Sequence, residues 1–132
     1  MLILATGSRT YTDLKMVAKT LHRYREVRGK PEEAIERSQE TPTLLHGGAD
    51  GADKLAEKVA RHLGWNIDRR PAEWDRYGKR AGFVRNLKML DEEPDLVLAF
   101  WDGRSKGTAH CIAQAVRRGL YVVITPEGGD DA

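Results

Sequence analysis

The sequence predicts an α/β fold: a single Rossmann-like, three-layer domain built on a five-stranded parallel sheet. Three observations predict it. Short apolar runs alternate along the chain with amphipathic stretches of helical period, as repeated strand–helix–strand crossovers require. The run at residues 95–100 is apolar almost throughout, as expected of a strand covered on both faces. Three apolar runs end in glycine-bearing turns that lead straight into helical patterns: Gly7-Ser8-Arg9, His46-Gly47-Gly48-Ala49-Asp50-Gly51 and Trp101-Asp102-Gly103-Arg104-Ser105-Lys106-Gly107-Thr108. At 132 residues the chain has room for one domain with a real core.

Residues 2–5 read as a buried first strand ending at Thr6-Gly7-Ser8. Thr12 or Asp13 then caps a helix with Leu14, Val17, Ala18 and Leu21 on one face, which turns polar and ends near Gly29. The charged stretch 30–42, with a proline near each end, is expected to be a surface excursion with a short helix after Pro31. A second strand at 43–46 feeds, through its glycine turn, a helix burying Ala52, Leu55, Ala56, Val59 and Leu63 and stopped by Gly64. Residues 65–68 read as a third strand, followed by an irregular aromatic segment at 71–78. The next helix, at 79–90, is expected to bury Phe83, Val84, Leu87 and Leu90. A fourth strand follows at 95–100, then a helix at 108–118 burying Ile112, Ala113 and Val116, and a last strand at 120–124. The acidic, glycine-rich tail at 127–132 is expected to fray.

Ligands of doubly wound sheets sit beyond the carboxyl ends of the strands, where the strand order reverses. An order 3-2-1-4-5 makes neighbours of the three strands that end in glycine turns, whereas 2-1-3-4-5 would separate them. The first order is therefore predicted.

Composition narrows the class. The 22 bases nearly balance the 20 acids, so bulk charge does not call for a nucleic acid or a membrane. Cys111 is the only cysteine, which excludes an internal disulfide and a cysteine-based zinc site and points to a reducing, cytoplasmic setting. The opening apolar run is too short for a signal peptide, and no stretch approaches the roughly 20 apolar residues that span a bilayer.

Helix starts present unpaired N–H groups and partial positive charge, and glycine lets a ligand approach the backbone. Ser105, Lys106, Gly107 and Thr108 put a hydroxyl, a cation and a glycine at such a start, an anion seat without the spacing of a Walker A loop. The plain alternative is a capped helix, with Ser105 or Thr108 as the cap. In the second turn, crowding against a ligand would explain the excess of glycine around Gly47 and Gly48; Asp50 can cap the helix. His46 either contacts a ligand or is a hydrogen-bonded structural histidine. Asp50 and Asp53 lack a third carboxylate at supporting spacing, so neither a metal nor a required cofactor is expected. In the first turn Gly7 and Ser8 lead to Arg9, whose planar fork of donors suits phosphate. Arg85 and Asn86 interrupt an apolar helix face, where an arginine is costly without an anionic partner. Trp74 and Trp101 are candidates for stacking on a base.

These motifs, from Gly7-Ser8-Arg9 through His46-Gly47-Gly48-Ala49-Asp50-Gly51-Ala52-Asp53 and Ala81-Gly82 with Arg85-Asn86 to Gly107-Thr108, resemble the SLOG superfamily. Within it the chain is most similar to the small YspA/YpsA-like branch of bacteria and phages. The resemblance covers nearly the whole chain. It implies a Rossmann-like domain that binds a phosphorylated nucleotide-derived ligand, such as ADP-ribose or an NAD-derived species, at the carboxyl edge of the sheet. It also implies a homodimer or larger assembly, and it makes Gly7, Ser8, Arg9, Gly47, Gly48, Asp50, Arg85, Asn86, Gly107 and Thr108 ligand contacts. The related LOG-type phosphoribohydrolases carry a P-G-G-x-G-T turn followed by glutamates. Here Gly107-Thr108 leads into Ala109-His110-Cys111, with no acid and no proline. Asp102 and His110 are the candidate catalytic substitutes, since glycosidic cleavage needs a group to activate water or stabilise a cationic sugar. The expected function is thus a sensor or binding domain without turnover. The alternatives are a nucleotide N-glycosidic hydrolase and single-stranded DNA binding, the latter from seven bases against two acids between Arg69 and Lys88.

Overall fold

The computed structural model describes residues 1–25 and 41–127. The expected end of the first helix near Gly29, most of the 30–42 excursion and the tail 128–132 lie outside the described residues. The chain runs β1 (Leu2–Gly7), α1 (Leu14–Tyr24), β2 (Thr43–His46), α2 (Ala52–His62), β3 (Asn66–Arg69), α3 (Trp74–Tyr77), a 3₁₀ turn (Gly78–Arg80), α4 (Ala81–Leu90), β4 (Leu96–Trp101), α5 (Lys106–Arg117) and β5 (Val122–Pro126). All strand pairs are parallel and the order is β3-β2-β1-β4-β5, as the sequence predicts. Among the described residues no helix is long and apolar enough to cross a membrane.

Alternation along the strands creates the three layers, because successive side chains point to opposite faces. Ile3, Ala5, Leu44, Leu98 and Phe100 pack with Val17 and Leu21 of α1 and with Ala52, Ala56 and Ala60 of α2. Their neighbours Leu4, Leu45 and Val97 point the other way, onto Met89 and Leu90 of α4 and Cys111 and Ala115 of α5. The central strand β1 is held in register by Leu4 opposite Val97 and Ile3 opposite Leu44. Its start is clamped to β4: the Leu2 amide donates to Asp95 Oδ2 (2.8 Å), and the Asp95 amide donates to Leu2 O (2.8 Å).

Several expectations need correction. The buried face of α4 is Ala81, Asn86, Met89 and Leu90, not the stripe through Phe83, Val84 and Leu87. The helix is rotated so that Asn86 bonds the α5 start, which leaves Phe83 41% exposed. In α5 the buried positions are Thr108, Cys111 and Ala115, one helical stripe of small side chains that lets the helix approach the sheet closely. Val116 faces solvent instead. At the start of α1, Leu14 is exposed as well. The last strand begins two residues late, since Gly119 at φ 73° ends α5 in the left-handed conformation and the Leu120 amide still donates to Ala115 O (3.1 Å). Gly7 is the last residue of a strand, not part of a turn. Glu127, placed at the edge of the tail, is held: its Oε1 accepts from the amide (2.7 Å) and hydroxyl (2.5 Å) of Thr12.

Candidate functional site

The three glycine turns meet at one rim of the sheet, and Ser8 ties them together. Its amide donates to Phe100 O (2.9 Å), and its carbonyl accepts from the amides of Tyr11 (3.1 Å) and Ala52 (3.1 Å). Its hydroxyl accepts from the Asp102 amide (2.9 Å). One buried serine thus joins the ends of β1 and β4 to the start of α2. Glycines make this closeness possible. A Cβ on Gly7 would collide with Ala52 and with Phe100 O, and one on Gly51, at φ 77°, would run into the carbonyls of Ser8 and Arg9.

The β2–α2 turn is organised by buried polar side chains. His46 is fully buried; its Nδ1 accepts from the Gly48 amide (3.0 Å), which leaves the Nε2 proton to bond Glu57 Oε1 (2.9 Å). Glu57 also receives Arg69 (2.6 Å) and Arg61 (3.2 Å), and the Arg69 bonds are the main reason its carboxyl titrates at about 2. Asp53, from the first turn of α2, accepts at Oδ2 from the amides of Gly47 (3.2 Å) and Ala49 (3.2 Å). Its other oxygen, Oδ1, is buried without a hydrogen-bond partner. Burial raises the Asp53 pKa, against the opposing pull of Arg85, His46 and the two amides.

Arg85 crosses from α4 to this turn. Its Nη1 donates to Gly47 O (2.8 Å) and its Nε to Asn86 Oδ1 (3.1 Å). Asn86 Nδ2 in turn donates to Gly107 O (3.3 Å), so two side chains join the second turn, α4 and the α5 start. Desolvation lowers the Arg85 pKa and the Asp53 charge raises it; a guanidinium nonetheless keeps its charge in a protein.

In the third turn, Asp102 Oδ1 accepts from the amides of Arg104 (2.8 Å) and Ser105 (2.8 Å), and Thr10 Oγ1 donates to Oδ2 (3.4 Å). Those amide bonds hold the Asp102 carboxyl below its usual range. Ser105 caps α5, its hydroxyl accepting from the Thr108 amide (3.5 Å) and hydroxyl (3.2 Å).

Between these segments and the aromatic α3–α4 stretch lies a cleft of about 380 Å³. Of the residues singled out from sequence, Gly7, Arg9, Arg85, Asn86, Asp102, Ser105, Gly107 and Thr108 line it, and Trp74 joins them. The Arg9 guanidinium lies 5.9 Å from the centre of the Trp74 ring. Ser8, His46, Gly47 and Gly48 are framework behind the cleft, and His46 is the hydrogen-bonded structural histidine of the two readings. The glycines at 47 and 48 are crowded by protein, with the Arg85 side chain over Gly47 and that of Arg69 over Gly48. Asp50 is exposed and paired with Lys54 (2.6 Å). The Trp101 indole donates to Ser105 O (3.0 Å), Lys106 is exposed at the start of α5, and the His110 ring packs against Phe83 (4.5 Å). None of these four lines the cleft. Of the bases between Arg69 and Lys88, Arg69 is spent on Glu57, and Arg70 on Asp68 (2.7 Å) and Glu92 (2.8 Å).

Asp53, Thr6, Lys79 and Phe83 also line the cleft and were not singled out as site residues. For Asp53 the signal was present. It stands at i, i+3 and i+7 with Ala56 and Ala60, an acid on the packed face of a helix.

The model of the YAcAr family, described as YspA, cpYpsA-related SLOG, matches residues 1–77. That span reaches from β1 to the end of α3 and contains the first two turns. The chain is also similar to the Gene 61 protein of Mycobacterium phage D29, with 36% identity over 126 residues covering 92% of this chain and 93% of that protein.

Proposed function

The chain belongs to the YspA, cpYpsA-related SLOG family, and from that premise we propose that its cleft binds a phosphorylated, nucleotide-derived ligand such as ADP-ribose or a related NAD-derived species, as a sensor or binding protein. One arrangement carries the reading: Arg9, Lys79 and Arg85 share a single cleft with the N-terminus of α5 and with the ring of Trp74. Cations and free helix-start amides suit a diphosphate, and an exposed indole suits a base. The volume of about 380 Å³ falls within the usual range of small-molecule sites.

Binding without turnover is favoured by what surrounds the two candidate catalytic groups. Asp102 spends Oδ1 on two backbone amides and receives Thr10 at Oδ2. His110 packs on Phe83 and does not line the cleft. His110 is not placed to activate water in the cleft, and Asp102 offers it only Oδ2, which Thr10 already meets at 3.4 Å.

Melting curves of the full chain with ADP-ribose, NAD, AMP and cyclic ADP-ribose test the proposal. A ligand at a hundredfold over its Kd should add about 2.7 kcal/mol of stability and raise Tm accordingly. No shift with any of them at millimolar concentration overturns it. Chromatography of the same mixtures checks for turnover: free base that disappears in an Asp102→Ala variant would make the protein a hydrolase.

A further inference from the structure

Asp53 holds a polar atom that the fold itself does not satisfy. The residue is 5% exposed, and while Oδ2 takes two backbone N–H groups, Oδ1 has no protein partner. A buried carboxylate oxygen left without a donor is costly, more so than a neutral polar atom. Asp53 also lines the cleft, so a bound molecule can supply the missing donor once a small turn of the carboxyl uncovers Oδ1, which is closed to solvent in the empty cleft.

The surroundings decide what kind of donor fits. Phosphate oxygens do not match the ionised carboxylate, because they are acceptors of the same charge sign. A hydroxyl does, since it both donates and accepts and so matches the carboxyl in either protonation state. The cleft is graded in polarity. Arg9, Lys79 and Trp74 are exposed at its mouth, whereas the buried polar side chains beside Asp53 in its lining are the neutral Thr6, Asn86 and Thr108. Two of the cations and the stacking surface lie outside; hydroxyl-matching groups lie inside, together with the guanidinium of Arg85. A nucleotide with its base against Trp74 and its phosphates on Arg9 and Lys79 would turn its sugar toward the interior.

We propose that Asp53 reads the ribose: its free Oδ1 accepts a hydrogen bond from a sugar hydroxyl of the ligand, so that the cleft selects ribosyl over deoxyribosyl phosphates. The assignment rests on the nucleotide-binding reading above and adds the sugar to it.

Calorimetric titration of the full chain with ADP, 2′-deoxy-ADP, 3′-deoxy-ADP, 2′,3′-dideoxy-ADP and IDP tests it, with ribose 5-phosphate against 2-deoxyribose 5-phosphate as a pair without a base. Loss of the recognised hydroxyl should weaken binding about tenfold or more, because it strands a buried charged acceptor. In Asp53→Ala, which presents no polar atom at that position, the ratio between ADP and its dideoxy form should collapse to about twofold or less. If that variant does not fold, the series on the unaltered protein decides alone. Equal affinity for ADP and its dideoxy form overturns the ribose assignment and leaves nucleotide binding standing. The same holds if IDP alone loses affinity, since Asp53 would then read the amino group of the base. Should none of these compounds, nor ADP-ribose, bind or stabilise the chain, both proposals fall together.

Discussion

Gly51 shows how a glycine in such a turn can serve the fold rather than a ligand. Its position in a glycine-rich turn suggests room for a bound molecule, yet the space is taken by the carbonyls of Ser8 and Arg9. Gly51→Ala forces a side chain into the left-handed region and against backbone that cannot swing away. It should cost about 2 kcal/mol or more, read as a lower urea midpoint at unchanged slope. A change within about 0.5 kcal/mol would mean that the turn relaxes freely. The same logic separates what was legible at this scale from what was not. Arg85 and Asn86 stand out in sequence because charge and amide on an apolar face demand partners, and both have them at the cleft. His46 did not resolve, because a histidine at a strand end looks the same whether it faces a ligand or, as here, Glu57 and the Gly48 amide.

Strands were easier to place than helix faces. Continuous apolar runs such as that of β4 leave little freedom, and the glycine turns set the strand order by requiring three strands side by side. Helix faces are weaker signals where polar side chains turn inward, as Asn86 does in α4 and Thr108 in α5. Elements are also joined by charge, most densely at Glu57. Glu57 of α2 gathers His46 from the end of β2, Arg69 from the end of β3 and Arg61 from its own helix. Its carboxyl is depressed from 4.5 to about 2, chiefly by the Arg69 bonds. Its contribution to stability is therefore complete above the unfolded value and disappears as pH falls from 4.5 toward about 2. Glu57→Gln should flatten that acid limb of the stability profile, measured by urea unfolding across the range. An acid limb as steep as before would show that the cluster does not couple the elements.

For the molecule as a whole, Cys111 supplies a reporter. It is the single thiol, it is fully buried in the layer between the sheet and α5, and burial lifts its pKa to about 11. A buried, protonated thiol is inert until the fold opens. Labelling by an aromatic disulfide reagent at mildly alkaline pH should thus track opening of the domain. A bound nucleotide should slow it by the factor 1 + [L]/Kd. Immediate labelling of the folded protein would contradict this packing.

Ser8 joins the exits of β1 and β4 to the start of α2 through one hydroxyl, one amide and one carbonyl. A cleft braced in this way is already shaped, so a molecule bound as proposed would spend little on freezing loops. On the proposed function, tailoring what it accepts would fall to the outer side chains, Arg9, Trp74, Lys79 and Phe83, exchanged like jaws on a common vice.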